Sequence, residues 1–525
     1  MCGIAVAVGI EDAADVVTCL IAGLEHRGDV SDPVASPAAR IAMATRRLRV
    51  VDGVQGVQPQ LSFDDRIAVA MNGEIYNHRQ LRRELEGLGA RFTTDSDTEV
   101  LACALSIWGG KALRRLNGMF AFVAVDTASG AFIAARDPLG VKPLYVIQQG
   151  ESFVFCSEMT PLLDVVETGE VMLLPPGYVL SGSYCSPYKS AISDLQPMSR
   201  AADPRALDAI LAAAVARRIP PDLPFALMFS GGIDSTLVAH YVRRAGYEVP
   251  GYFLGDESAP DFRFAQAYAE LTGLDLRLVS FDEPSRIDTQ IADTVRFCES
   301  FEPAVVRDSY CTGLLSRQVH HDGYRVALCG EGADELFAGY RPLELGFMAG
   351  ETHGAALRDQ CLGGMHRGNL QRLDRASMRW AVEAREPFLD PNVVNHAMAL
   401  QASAFVSSEG VGKAPLRALF DFYPGELPAS IRDRTKRPMN EGTGLDASQA
   451  DSPWARRADA ALSDREFAEG RRRFDAFDLR SKEELLYLQV LADRIDVERA
   501  PHLKSRLRLE AADLPGIEQL SEYRI

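Results

Sequence analysis

The chain has 525 residues, 47% of them hydrophobic and 25% charged, which fits two or more globular domains with ample core. A formal net charge of -17 argues against nucleic acid or an anionic membrane as a general partner, so any anionic ligand must be held by local donors. Nine cysteines without a C-x-x-C pair suggest neither a zinc ribbon nor a disulfide framework; with no long apolar run and no basic leader, a cytoplasmic protein is expected.

In chain order, short β-rich runs are expected over Cys2–Val8, Ile67–Met71, Ala121–Asp126, Ala131–Ala135 and Phe153–Cys156. Apolar spacing predicts helices over Ala13–Leu24, Asn77–Leu88 and Thr98–Trp108, the last capped by Ser96 with Glu99 three residues on. The proline-bearing stretch Tyr184–Pro204 reads as a linker. Beyond it, a helix over Ala206–Arg217 and a strand over Phe225–Phe229 lead into Ser230-Gly231-Gly232-Ile233-Asp234-Ser235 and a helix over Thr236–Ala245. Further strands over Gly251–Leu254 and Arg325–Cys329 suggest parallel winding, and after about residue 340 the chain reads mostly helical.

Cys2 followed by Gly3 is the first chemical signal. Once the initiator methionine is removed, thiol and α-amine share one residue, and the amine can serve as the nucleophile's base. Arg46-Arg47-Leu48, Gln58-Pro59, Asn72-Gly73-Glu74-Ile75-Tyr76-Asn77 and Ser96-Asp97-Thr98-Glu99 accompany it. Taken singly, Asn-Gly is most often a turn and Ser-Asp-x-Glu a helix start.

Together with Gly118-Met119-Phe120-Ala121 and Arg136-Asp137-Pro138-Leu139-Gly140, these segments resemble the glutaminase domain of class II, N-terminal-cysteine amidotransferases. The resemblance implies Cys2 as nucleophile, with Asn72 and Gly73 as oxyanion donors. It implies Arg47 on the glutamine carboxylate and Glu74 and Asp97 on its ammonium. Two positions depart from the family pattern: Asp29-Val30 after Arg27-Gly28, and Thr45 where histidine is usual.

The second signal is the Ser230–Ser235 loop, where glycines admit phosphate to the backbone and a helix start supplies N–H donors. No Gly-Lys-Ser/Thr follows, so it is not a Walker loop. The second acidic motif, Gly330-Glu331-Gly332-Ala333-Asp334-Glu335, follows another strand, and two such motifs can hold Mg²⁺ between hard oxygen ligands. Arg375-Ala376-Ser377-Met378, the run Ala384–Asp390 and Arg434-Thr435-Lys436 come next.

All of these blocks in order resemble the glutamine-hydrolysing asparagine synthetase family. The implied fold is α/β and α+β in two domains. Residues 2–190 form an N-terminal-nucleophile αββα sandwich, and residues 200–525 a parallel-sheet ATP-pyrophosphatase domain with a helical C-terminal part. The implied substrates are glutamine, ATP and a carboxylate, favoured as aspartate, with Mg²⁺ and a homodimer also expected. ATP would meet Met228, Ser230, Gly231, Gly232, Asp234, Ser235, Leu254, Cys329, Gly330 and Lys436. Asp234 and Asp334 would hold the metal, and Glu331 would face the activated carboxylate.

Three further departures keep another acceptor in a specialised pathway as the alternative: Glu386 for a small apolar residue, Tyr310-Cys311-Thr312 for Thr-Pro-Met, and Cys329 for serine. Glu386 is expected to be ion-paired, with Arg385 and Arg307 the nearest candidates. A β-lactam-forming synthetase shares the fold but usually lacks Cys2 and has tyrosine at position 331. A binding protein without catalysis is the reading from a different class, and the intact Cys2, Asn72, Asp234, Glu331 and Asp334 argue against it.

Overall fold

A computed structural model describes residues 2–50, 55–189, 201–446 and 452–505. Met1, the 190–200 part of the expected linker and residues 506–525 lie outside the described residues.

The first half is a pair of facing antiparallel sheets. One contains the strands Cys2–Val8, Val30–Ser31, Ile41–Arg47, Tyr145–Gln149, Ser152–Cys156 and Val171–Leu173; the other contains Gln60–Leu61, Ile67–Ile75, Gly118–Asp126, Phe132–Arg136, Tyr178–Ser181 and Tyr184–Pro187. Side-chain alternation builds the layers. Ile4 and Val6 join Ala68, Ala70, Ala121 and Val123 in the core between the sheets. The intervening Ala5 and Ala7 lie under the helix Ala13–Ala22, while Val69, Met71 and Ile75 lie under His78–Gly87 and Asp97–Trp108. Helix, sheet, sheet and helix therefore stack as an αββα sandwich.

Several local expectations change. The strand Ile67–Ile75 continues through Asn72-Gly73-Glu74, so this Asn-Gly is not a turn: Asn72 pairs with Ala121 and Gly73 with Phe120. Ser96 caps its helix by accepting from the Thr98 N–H at 3.2 Å. No reciprocal capping box forms, because Glu99 turns back to accept from the Thr93 and Thr94 N–H groups at 2.8 and 2.9 Å. The start of the expected linker is a strand, Tyr184–Pro187, paired with Tyr178–Ser181.

The second half is built on a five-stranded parallel sheet in the order Leu276–Val279, Gly251–Leu254, Ala226–Met228, Val326–Leu328, Glu383–Arg385. From Ala226–Met228 the chain winds first to one side and later returns on the other. The switch point therefore lies between Ala226–Met228 and Val326–Leu328, and a ligand crevice is expected beyond their carboxyl ends. The Ser230 loop and the Gly330 turn follow these two strands.

A buried ionic network joins the halves. Arg27, fully buried, makes a two-pronged contact with Asp374 at 2.9 and 3.0 Å, reaches Glu158 at 2.7 Å and donates from Nε to the Cys2 carbonyl at 3.3 Å. Asp374 lies on the helix Asn369–Met378, where Arg375 pairs with Glu299 at 2.8 Å and donates to the Ser157 carbonyl at 3.2 Å. Burial pushes the Asp374 carboxyl up, but Arg27 beside it wins and holds it below its ordinary value. Removing one member strands a buried charge. Asp374→Ala is expected to cost about 3–5 kcal/mol, read as a lower urea midpoint; a midpoint equal to wild type would contradict a load carried by this pair.

Candidate functional sites

Cys2 begins its strand, buried, with Arg47 directly opposite on the neighbouring strand. Asn72 arrives from the other sheet, and its Oδ1 accepts from the Cys2 N–H at 3.0 Å. That bond fixes the amide's orientation. The Asn72 Nδ2 is buried and meets no partner among the described residues, which leaves a donor pointing into the site.

Gly73 has φ +147°, and a Cβ there would meet the Met119 carbonyl oxygen at 2.1 Å, so only glycine fits beside that donor. Burial pushes the Cys2 thiol up, against the lowering effect of nearby positive charge and the Leu48 backbone.

The residues expected to form a glutamine cage have further partners, Asp32 and Gln58 among them. Arg47 Nε contacts both oxygens of Asp32 at 3.1 Å, and Asp32 also accepts from the Gln58 N–H at 3.0 Å. Gln58 Nε2 stands 4.0 Å from the Cys2 sulfur, while Gln58 Oε1 accepts from the Met71 N–H at 2.7 Å. Asp32 carried no sequence signal, since it is one acid in an irregular stretch.

Asp97 accepts from the Ile75 N–H at 2.8 Å. Glu74 lies 3.2 Å from Arg385 of the parallel-sheet half, so this end of the cage is shared between halves. Burial raises Glu74 to about 8 despite Arg385, and raises Asp97 to about 6.

In the second half, Ser230, Gly231, Gly232 and Ser235 wrap the start of the helix Ile233–Arg244, with the two serine hydroxyls 3.2 Å apart. Gly231 has φ +65°, and a Cβ there would meet the Ala265 N at 2.4 Å. Arg434 steadies the loop by donating to the Gly231 carbonyl at 2.9 Å and to Asp261 at 2.7 Å.

Asp234 and Asp334 do converge. A residue not foreseen, Lys413, stands between them with Nζ 2.6 Å from each carboxylate, and Lys436 reaches Asp334 at 2.6 Å. Burial pushes Asp334 up, yet these two ammonium groups hold it well below the usual carboxylate range. Lys413 follows a glycine and itself has φ +59°, so no helical or strand periodicity could single it out.

Gly330 packs on Asp234, where a Cβ would meet the Asp234 Cβ at 2.7 Å. Cys329 and Met228 pack together in a small buried cluster. Leu254 has its side chain in the apolar core, which leaves only its backbone for a ligand.

Glu331 pairs with Arg372, a residue of Asn369–Met378, and Arg372 also donates to Thr312 Oγ1 at 3.1 Å. Neither expected partner reaches Glu386. Arg385 is taken by Glu383 at 2.6 Å and by Glu74, and Arg307 by Asp446 at 3.0 Å and Glu483 at 3.2 Å. The expectation of an ion-paired Glu386 is therefore corrected: its strand neighbour points into the other half while Glu386 lines a cavity.

Burial raises the Glu386 carboxyl from 4.5 to about 7. At 1.36 kcal/mol per pH unit of displacement, this amounts to roughly 3 kcal/mol. A raised carboxyl contributes stability fully present below pH 4.5 and lost as pH rises through about 7. Glu386→Gln in sodium phosphate is thus expected to gain up to about 3 kcal/mol on wild type between pH 4.5 and pH 8, read by urea unfolding at both values. An equal difference at both would contradict a buried, strained carboxylate.

Comparison with known proteins agrees with this geometry. Residues 1–173 match the family model for the glutamine amidotransferase domain, and residues 206–358 and 349–511 match the model for asparagine synthase. "Asparagine synthetase [glutamine-hydrolyzing] 3" of Arabidopsis thaliana is 31% identical over 469 residues, covering 85% of this chain and 79% of the relative. The asparagine synthetase [glutamine-hydrolyzing] of Triphysaria versicolor is 32% identical, covering 85% of this chain and 78% of its own length. A solved structure of an allosteric regulatory enzyme of purine biosynthesis aligns at 22% identity with a TM-score of 0.32, over 53% of this chain and 65% of that one, too loosely to bear on the fold. With both halves matched and that level of identity along most of its length, the chain belongs to the glutamine-hydrolysing asparagine synthetase family.

Proposed function

We propose that this chain hydrolyses glutamine at Cys2 and uses the ammonia, with ATP, to convert aspartate to asparagine with release of AMP and pyrophosphate. The observation that carries the reading is the pairing, in one chain, of a buried cysteine under an unpartnered Asn72 donor with a switch-point crevice lined by Ser230–Ser235, Lys413 and Lys436. We take residues 2–190 and 200–525 as the two working units, acting in the cytoplasm as a homodimer.

In the first unit, Cys2 with Met1 removed attacks the glutamine amide, its own amine serving as base. Asn72 Nδ2 and the Gly73 N–H stabilise the oxyanion, a donor of this kind contributing about 2.7–4 kcal/mol in the transition state. Arg47, oriented by Asp32, holds the glutamine carboxylate, and Glu74 and Asp97 hold its ammonium.

In the second unit, the Ser230–Ser235 loop receives the pyrophosphate part of ATP at a helix start. Met228, Leu254, Cys329 and Gly330 offer strand-end backbone to the nucleoside. Lys413 and Lys436 neutralise phosphate charge in a chain that is acidic overall. Asp234 and Asp334 present hard oxygen donors of the kind Mg²⁺ takes, and would hold it once the Lys413 ammonium that bridges them turns to the phosphates. Bound there, the ion would neutralise phosphate charge. Glu331, held by Arg372, faces the aspartate carboxylate that becomes adenylated. Ammonia then passes between the units, and only its unprotonated form is the nucleophile at the end of the route.

Cys2→Ala is expected to abolish asparagine formation from glutamine while retaining formation from ammonium chloride, measured by amino-acid analysis. Equal loss of both in folded protein would overturn the two-site reading. Asp334→Asn is expected to cut pyrophosphate release at least about tenfold while glutamate release from glutamine stays near wild type. Pyrophosphate at the wild-type rate would remove Asp334 from the ATP site.

A further inference from the structure

A cavity of about 60 Å³ lies where the two halves meet, lined by Met119, Leu139 and Val141 on one side and Arg218, Glu386 and Leu389 on the other. Two close approaches place it between the sites. Met119 has its carbonyl directly behind Gly73, at 2.1 Å from where a Cβ would be. Leu389 sits 2.3 Å from the Cβ position of Gly332, beside Glu331. At roughly 10–15 Å³ of such space per water, the cavity takes about four to six water-sized molecules and no amino acid.

Glu386 is 3% exposed, and no hydrogen bond or ion pair to its carboxylate forms among the described residues. The cations facing it are committed elsewhere: Lys142 stands 3.9 Å from Asp374, and Arg218 lies 2.9 Å from Asp390 with its guanidinium 4.6 Å over the Tyr76 ring. Glu331 and Asp137 also face Glu386 and add negative charge, while Tyr76, Lys189 and Asn395 complete the polar lining. A buried carboxylate in this setting is satisfied by a small cation with N–H donors. Mg²⁺ is a poor fit, since it demands six oxygens and sheds water reluctantly.

We propose that this cavity binds ammonium and that the Glu386 carboxylate is the group that holds it. The inference rests on the reading that ammonia passes between the two units. Glu386 is also the proton acceptor that makes the ion a nucleophile again. An N–H bond breaks with its electron pair left on nitrogen, an O–H bond forms on Glu386, and that proton leaves to water entering the emptied cavity. Burial, which raises the carboxyl to about 7, improves it as an acceptor.

The test uses the full chain and Glu386→Gln, with thermal melting in ammonium, sodium or tetramethylammonium chloride at pH 5.5 and 8. Only ammonium is expected to raise the wild-type melting temperature saturably, at pH 8 and not at pH 5.5, and the variant is expected to show no such rise. An equal ammonium response in the variant overturns the site, whether or not the chain makes asparagine. In the second arm, the variant's KM for ammonium in asparagine formation is expected to rise about tenfold, and an unchanged KM overturns it. Wild type forming no amide from either nitrogen source would instead count against the proposed function, leaving melting to decide the cavity.

Discussion

Asp374 is the constraint on which the rest depends. It is a buried carboxylate whose charge is tolerable only because Arg27 closes on it from the other half of the chain, with Arg375 and Lys142 nearby. Arg27 also holds the Cys2 carbonyl, so the strand that begins at Cys2 is anchored, through Arg27, by a carboxylate 347 positions beyond that arginine. Two residues before Asp374, the same helix presents Arg372 to Glu331. A single helix therefore sets both the amide-hydrolysing end and the acid of the second site.

The strand Glu383–Arg385 extends that logic. Arg385 crosses to Glu74, while Glu386, next along the chain, faces the cavity. Four acids, Glu74, Glu383, Glu386 and Glu331, thus crowd the boundary, and the fixed cations there do not reach Glu386. A mobile positive charge resolves the imbalance, which is why the interface reads as a route for nitrogen rather than as a sealed joint.

The switch-point crevice handles charge in the opposite sense. The chain is strongly acidic, yet Lys413, Lys436 and Arg434 converge on the ends of two parallel strands. Asp234 and Asp334 keep the two lysines in place and Asp261 the arginine, and burial makes each contact stronger than it would be in water. A polyanion can be received there against the global field because the donors are local and already oriented.

Much of this was legible in the residues. Cys2, the Asn72-Gly73-Glu74 run, the Ser230–Ser235 loop and the Asp334 motif mark the candidate sites in short contiguous stretches, and alternation along Cys2–Val8 and Ile67–Met71 marks two-faced strands. Local order of this kind survives in sequence because neighbouring side chains and backbone torsions decide it. What tertiary structure alone decided are the partners of charges. Lys413 between two aspartates, Asp32 behind Arg47, Arg385 on Glu74 rather than Glu386, and Arg27 on Asp374 all join residues distant along the chain. No periodicity encodes such pairs: a buried charge is matched by whichever opposite charge the packing brings within about 3 Å, and that is settled only when the two halves close on each other.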